Sequence, residues 1–388
     1  MSLSSGSNVH WGDRLTKFGP VVALALLLVV TGMLESSFLR PENLVNILRQ
    51  QSFVGILAVG MTVVVISGGI DLSVGAMMGL AGGVGIWVMN TAVEGAKMVA
   101  ENAAARVRHA EDAALGLTMP LELPWSAGRE WLAGVFGQVG LGGSEVGGMF
   151  VAVVATMGVA MLAGLCNGVL IAKGRLAPFI ATLGGLAAYR SLSLSLADGG
   201  EFRAEGSVFA RIGTGGIDLP YVIRPATETA KAIYLQLPYP VIAMFVIAAV
   251  VAVVLNRTRF GRYVYAVGNN ERAAVYSAIN VDRVKIKVYV LMGALVGMAA
   301  CLLSSRMNSV SSSTTGNLAE LDAIAAVVIG GTRMQGGSGR IWGTIVGVLM
   351  LGVISNMLNF LDVSPYLQGL VKGLIIVAAV LLQSAGRK

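Results

Sequence analysis

Ten apolar runs, most of them near 20 residues long and almost free of charge, dictate what this chain can fold into. A helix needs about 20 apolar residues to cross the hydrocarbon core of a bilayer. The runs lie near Phe18–Phe38, Val45–Ser67, Leu72–Asn90, Gly148–Ala172, Leu176–Leu196, Tyr239–Leu255, Ile286–Ser305, Leu321–Gly331, Ile341–Phe360 and Tyr366–Leu382. The eighth is too short to cross unaided. It predicts a broken or re-entrant helix, tolerated only where protein or a cavity surrounds it. The expected fold class is all-α: a polytopic membrane protein of about ten transmembrane helices.

Composition narrows the function classes. Charged residues make up 13% of the chain, against about 25% in a soluble domain. The 51 glycines have no three-residue period and fall inside apolar runs, where small residues let helices approach closely. Cys166 and Cys301 lie within such runs and read as small buried residues, and His10 and His109 have no ligand partner at metal spacing. No nucleophile–base pair or metal set can be assembled from them, which argues against a membrane enzyme. The first run follows Arg14 and Lys17 as a signal peptide would, yet Met33–Arg40 offers no A-x-A-like cleavage site, so it reads as a retained anchor.

Charge distribution predicts orientation. With both termini in the cytoplasm, the internal loops gather fifteen of the 28 Lys and Arg residues, accompanied by only Asp13, Asp71, Glu271 and Asp282 among the 21 acids. The inverted arrangement would break the positive-inside rule. The net charge of +7 is therefore a topology signal, not a nucleic-acid one. On this reading residues 1–17 are a cytoplasmic N-terminal segment, and two long segments lie outside. Thr91–Gly147 holds an alanine-rich charged stretch of high helix propensity, expected as a helix outside the membrane. It either docks an external partner or is a solvated surface helix. Ala197–Leu237, rich in Gly, Pro and acids, reads as an irregular external loop.

Ser67–Gly83, SGGIDLSVGAMMGLAGG, is an apolar segment broken near its start by Asp71. A charge at the centre of a bilayer helix costs about 2.5–3.5 kcal/mol on insertion scales, which places Asp71 at a helix end or in a polar cavity. Ile70-Asp71 runs on to Gly82-Gly83 much as Leu321-Asp322 runs on to Gly330-Gly331. In the ten-span arrangement the two segments run in opposite directions, as an internal inverted repeat requires. Chance similarity in a glycine-rich chain is the competing explanation.

The longest internal loop is Asn256–Lys287, within which Asn269 or Asn270 can N-cap a short helix from Glu271 to Ser277. Gly268 permits a tight turn into it, and Ala273 and Ala274 leave one face low enough for another protein to approach. Spacing alone leaves two readings: a basic connection that sets topology, or a docking helix for a cytoplasmic motor.

This loop, the GGIDLSVG segment and AELDAIAAVVIGGTRMQGGSGRIWGT at Ala319–Thr344 together resemble the permease subunits of bacterial ABC sugar importers, nearest the ribose, xylose and galactose group. NGVLIAKGRLAPFIATLG at Asn167–Gly184 and GLVKGLIIVAAV at Gly369–Val380 extend the likeness from about Leu48 to Ala379. The resemblance implies one transmembrane permease domain over 18–388, with an external insertion at 91–147 that is longer than the family pattern and a cytoplasmic coupling loop at 256–287. It implies an inner-membrane homodimer that imports a monosaccharide, a pentose such as ribose or xylose, through a central pathway. The partners implied are a cytoplasmic ABC ATPase and a periplasmic or extracellular sugar-binding protein. It also implies that Gly268, Asn269, Asn270, Glu271, Ala273 and Ala274 engage the ATPase.

The chain contains no G-x-x-x-x-G-K-[ST] loop, and neither Gly330-Gly331 nor Gly336-Gly337 is followed by Lys-Ser or Lys-Thr. It is therefore expected to hold no cofactor and to be no enzyme, ATP and Mg belonging to the partner. Pathway candidates follow from the cost of polar groups in lipid. Lys372 lines the pathway or snorkels to the outer interface. Asp71 and Ser73 orient a helix start at the internal gate or simply cap it. Asn167 and Thr182 touch substrate or bond between helices. The alternative to ATP-driven import is an ion-coupled secondary transporter of a small polar solute, which would favour several acids deep in the spans; Asp71, Glu320 and Asp322 all fall near predicted ends.

Overall fold

The computed structural model describes residues 11–117, 127–224 and 233–364, and, of the remainder, 367–371, 373, 374 and 377. The chain opens with α1 (Trp11–Leu34), a short 3-10 turn at Ser36–Leu39, α2 (Pro41–Ile66) and α3 (Val74–Val93). Two helices, α4 (Gly95–Ala114) and α5 (Ala127–Gln138), precede α6 (Glu145–Ala172) and α7 (Pro178–Leu196). Then come β1 (Glu201–Arg203), α8 (Ala210–Thr214), β2 (Gly216–Arg224), β3 (Ile233–Pro238) and α9 (Tyr239–Arg257). The rest is α10 (Arg259–Asn269), α11 (Glu271–Tyr276), α12 (Val281–Met307), β4 (Ser309–Ser311), α13 (Ala319–Ile329) and α14 (Ile341–Phe360).

Among the described residues seven helices are long and apolar enough to cross a membrane: α2, α3, α6, α7, α9, α12 and α14. The apolar part of α1, Gly19–Leu34, is shorter. The expected eighth run is α13, whose 11 residues reach only about 16 Å at 1.5 Å each. The tenth, Tyr366–Leu382, lies mostly outside the described residues, and so does Lys372.

Burial separates the centre of the bundle from its rim. From Ser52 to Ile66 α2 is buried on nearly every side, as is α3 from Val74 to Gly83. An all-apolar helix with no polar face fits such a position. Glycines set the helix spacing. A Cβ at Gly164 of α6 would strike the Tyr289 carbonyl of α12, and one at Gly293 of α12 would strike the Ala160 carbonyl of α6. Lipid tails give helices no hydrophobic reason to associate, so backbone approach of this kind holds them together. Side-chain bonds add to it: the Thr62 and Thr344 hydroxyls meet at 2.6 Å between α2 and α14, and Asn43 and Asn356 exchange amide bonds of 3.0 Å.

The insertion is helical, as its alanine content predicts. Asn102 and Arg106 on α4 donate to the Glu130 carboxylate on α5, at 2.8–3.0 Å. Ala197–Leu237, expected to be irregular, instead contains β1, α8 and a hairpin of β2 with β3. Its β1 pairs antiparallel with β4, Glu201 opposite Ser311. A three-residue strand whose partner lies far along the chain leaves no local alternation to read.

Candidate functional site

The basic loop folds into two helices, not one. Thr258 accepts from the Gly261 N–H at 3.2 Å and starts α10, whose Gly261, Val264 and Val267 form the buried face. The sequence reading treated this stretch as a connection, although the spacing of three between those residues is a helical stripe. Asn270 then accepts from the Ala273 N–H at 3.0 Å and caps α11, and Asn280 does the same for Arg283 at the start of α12. With α9 running to Arg257 and α12 starting at Val281, the loop proper is shorter than 256–287.

Gly268, Asn269, Asn270, Glu271, Ala273 and Ala274 come together here with unequal roles. A Cβ on Gly268 would strike the Ile66 carbonyl at the end of α2. That same carbonyl accepts from the Gly337 N–H at 2.9 Å, while Gly336 carries φ +89° and Gly337 φ +71°. Three segments thus meet backbone to backbone, where only glycine fits. Glu271 receives Lys285 Nζ of α12 at 2.8 and 2.9 Å. Ala273 is exposed, whereas Ala274 is buried against the core. The low face expected of both alanines is therefore turned in at Ala274. The exposed apolar side chains are Val275 and, at 90% exposure, Tyr276, neither of which the sequence singled out. A cavity of about 590 Å³ beside α11 is lined by Arg175, Leu176, Glu271, Val275, Asn280 and Lys285.

A second cluster is polar and enclosed. Asp71 is fully buried, and its Oδ1 accepts from the Ser73 N–H at 2.9 Å and the Ser73 hydroxyl at 2.6 Å. Ser73 Oγ accepts from Asn167 Nδ2 at 2.8 Å, and Asn167 Oδ1 accepts from the Tyr189 hydroxyl at 3.0 Å. The chain ties the start of α3 to α6 and α7. Nearby, the Tyr289 hydroxyl of α12 donates to the Ile70 carbonyl at 3.0 Å. Asp71 Oδ2 has no hydrogen-bond partner among the described residues. Thr182 stands apart, donating to the Pro178 carbonyl one turn back in its own helix.

The starts of α3 and α13 face one another across this region. A Cβ on Gly75 would strike the Gly316 carbonyl and approach Glu320 Oε2 to 2.6 Å. Arg190 of α7 braces the approach to α13, donating to the Ser312 and Thr315 carbonyls at 3.2 and 2.9 Å. Sequence reasoning passed over Arg190, although the cost of a cation inside the run Leu176–Leu196 points to it as directly as to Lys372. Tyr189 and Tyr289 gave no such signal, because an aromatic residue in an apolar run is ordinary.

A bundle with seven helices of this length and apolarity defines an all-α, multi-pass membrane protein. Residues 43–380 match the family described as branched-chain amino acid transport system / permease component, and the chain belongs to that family. The ribose import permease of Bacillus subtilis (strain 168) is 35% identical over 96% of this chain and 94% of its own. That of Haemophilus influenzae is 34% identical over 98% and 97%. The xylose transport system permease of Escherichia coli K12 is 30% identical over 94% and 90%. No solved structure matches the chain.

Proposed function

We propose that this chain is the membrane-spanning permease of an ATP-driven ABC importer of a monosaccharide, a pentose such as ribose or xylose. The observation that carries this is end-to-end similarity to three permeases named for ribose or xylose. Two copies enclose the pathway in the inner (plasma) membrane, with both termini in the cytoplasm, which is the arrangement the positive-inside rule favours. ATP and Mg bind a separate ATPase, and a periplasmic or extracellular receptor delivers the sugar.

The contacts of α11 supply a route for coupling. The exposure of Tyr276 and Val275 leaves them open to contact by an ATPase, while Ala274 is buried in the core and the Glu271–Lys285 pair ties α11 to α12. The close approach of Gly268 to Ile66 passes any displacement of α10 and α11 to the end of α2. Packed helices shift as rigid bodies because their interfaces do not deform continuously. When the ATPase pair closes on nucleotide, α11 moves and the facing starts of α3 and α13 move with it.

The test is uptake of radiolabelled ribose and xylose by proteoliposomes carrying this chain with its cognate ATPase and sugar receptor. Uptake that requires ATP and receptor is expected. Uptake that proceeds without the ATPase and collapses with a protonophore would overturn the reading in favour of ion coupling.

A further inference from the structure

Between the layer beyond the end of α7 and about the middle of the membrane, the backbone leaves regular structure and exposes uncharged polar side chains. The segment from Ser312 to Leu318 joins β4 to α13 through turns, with Gly316 at φ +76° and Leu318 at φ +62°. Its depth follows from its neighbours. Asn167, bonded to Ser73, lies five residues before the end of α6 at Ala172, about 8 Å from that end at 1.5 Å per residue. Gly75 and Gly79 lie progressively further along α3 and touch Gly316 and Thr315. That sets Gly316 and Thr315 about 11–17 Å from the basic face of a core about 30 Å thick, while Ser312, bonded to Gly200 beyond the end of α7, marks the outer end of the segment.

The segment holds its own shape. Arg190 binds the Ser312 and Thr315 carbonyls, Ser312 Oγ donates to Gly200 O at 2.7 Å, and Thr315 Oγ1 accepts from the Ser311 N–H at 3.0 Å. Outward lie Ser313, Thr314 and Asn317, with the exposed Leu318 beside them. Irregular backbone at this depth is not tolerated against lipid; it occurs only where protein or a water-filled cavity covers it. The polar side chains are hydroxyls and an amide, each able to donate and accept, with no charge among them. Such a set exchanges hydrogen bonds with a neutral polyhydroxy solute and brings no net charge of its own.

We propose that Ser313, Thr314 and Asn317 form a polar step of the sugar route, facing water, and that a second copy of this chain supplies the opposite wall. The proposal rests on the transport reading above and adds to it the residues that the sugar passes. Binding there is weak by construction: three small polar side chains without an aromatic platform allow passage and leave selectivity to the receptor.

The experiment places single cysteines, Ser313→Cys, Thr314→Cys and Asn317→Cys, in the complete complex after Cys166→Ser and Cys301→Ala. A charged, membrane-impermeant thiol reagent and a lipid-soluble maleimide are compared with and without nucleotide. The expected result is labelling by the charged reagent at all three positions, at rates that change with nucleotide, and loss of uptake after labelling. Val250→Cys, on the exposed apolar face of α9, reacts with the lipid-soluble reagent alone. If the three positions behave as Val250→Cys does, they face lipid and the proposal fails. A second measurement needs no reagent: Thr314→Val and Asn317→Leu lose uptake at an unchanged amount of assembled complex, and full uptake overturns the proposal. Uptake by the unmodified complex is scored first, so failure of the transport reading is seen separately from failure of this one.

Discussion

Asp71 is held by hydrogen bonds, and its substitutions separate acceptor from charge. Asp71→Ala leaves the Ser73 N–H buried without its acceptor and breaks the chain that reaches Tyr189. A donor orphaned in this way costs about 1–3 kcal/mol. Asp71→Asn keeps an acceptor for Ser73 at nearly the same volume, so it is expected to lose less. Thermal unfolding in detergent should rank Asp71→Ala well below Asp71→Asn; the reverse order would show that the charge is what matters. Gly268→Ala belongs to the same class of test. Its methyl would meet the Ile66 carbonyl, a backbone atom that cannot step aside, and such overpacking costs about 1–3 kcal/mol. The sequence named Asp71, Ser73 and Asn167 because polar groups in apolar runs stand out. It could not reveal that Ala274 turns inward and Tyr276 outward, since that depends on which side of a six-residue helix meets the core.

The paired helices of the insertion and the stretch after β1 carry acid groups with opposite behaviour, which gives this layer a two-sided response to pH. Hydrogen bonds from Asn102 and Arg106 hold the Glu130 carboxyl below the usual glutamate range. Its contribution to α4–α5 docking is present above the ordinary glutamate pKa and is lost as pH falls through the lowered folded value. Glu205 is pushed the other way, first by its hydrogen bond with the Glu94 side chain and then by burial. The protonated Glu205 stabilises the folded layer below the ordinary glutamate pKa, and that contribution is lost as pH rises through the raised value. Hydrogen exchange across α4–α5 should therefore quicken in acid and lose that dependence in Glu130→Gln. Exchange around Glu205 should slow on mild acidification, a change absent in Glu205→Gln. Exchange that is flat with pH in both places would remove these carboxyls from the account. Elements of this layer were unequally legible. The charged alanine stretch announces α4 by propensity, whereas β1 finds β4 only after α7, α9 and α12 have brought their ends together. The short eighth run was legible by length alone, whereas its contact with the start of α3 was not, because the likeness of the two Ile/Leu-Asp segments speaks of repetition and not of proximity.

For the bundle as a transmitter, the decisive question is whether α11 moves with α12 or independently of it. The one side-chain ion pair between them, Lys285 with Glu271, has a partly exposed carboxylate. Exposed pairs contribute about 0–1 kcal/mol, so this one adds little to stability. Its value to the molecule is geometric: it fixes a six-residue helix to the start of α12, at the point where a motor would push. Tyr276→Ala should therefore leave unfolding unchanged and reduce recovery of the ATPase in pull-downs, because it removes a 90%-exposed side chain that no part of the core uses. Glu271→Lys and Lys285→Glu should each leave the ATPase bound but lower sugar uptake per ATP hydrolysed. The double exchange should restore the pair and with it the coupling ratio. Restoration is the informative outcome, since a damaged docking surface would stay damaged in the double variant while a severed link would be remade. A double variant no better coupled than the singles would show that displacement passes through Gly268 and α2 instead, leaving the ion pair as a surface contact.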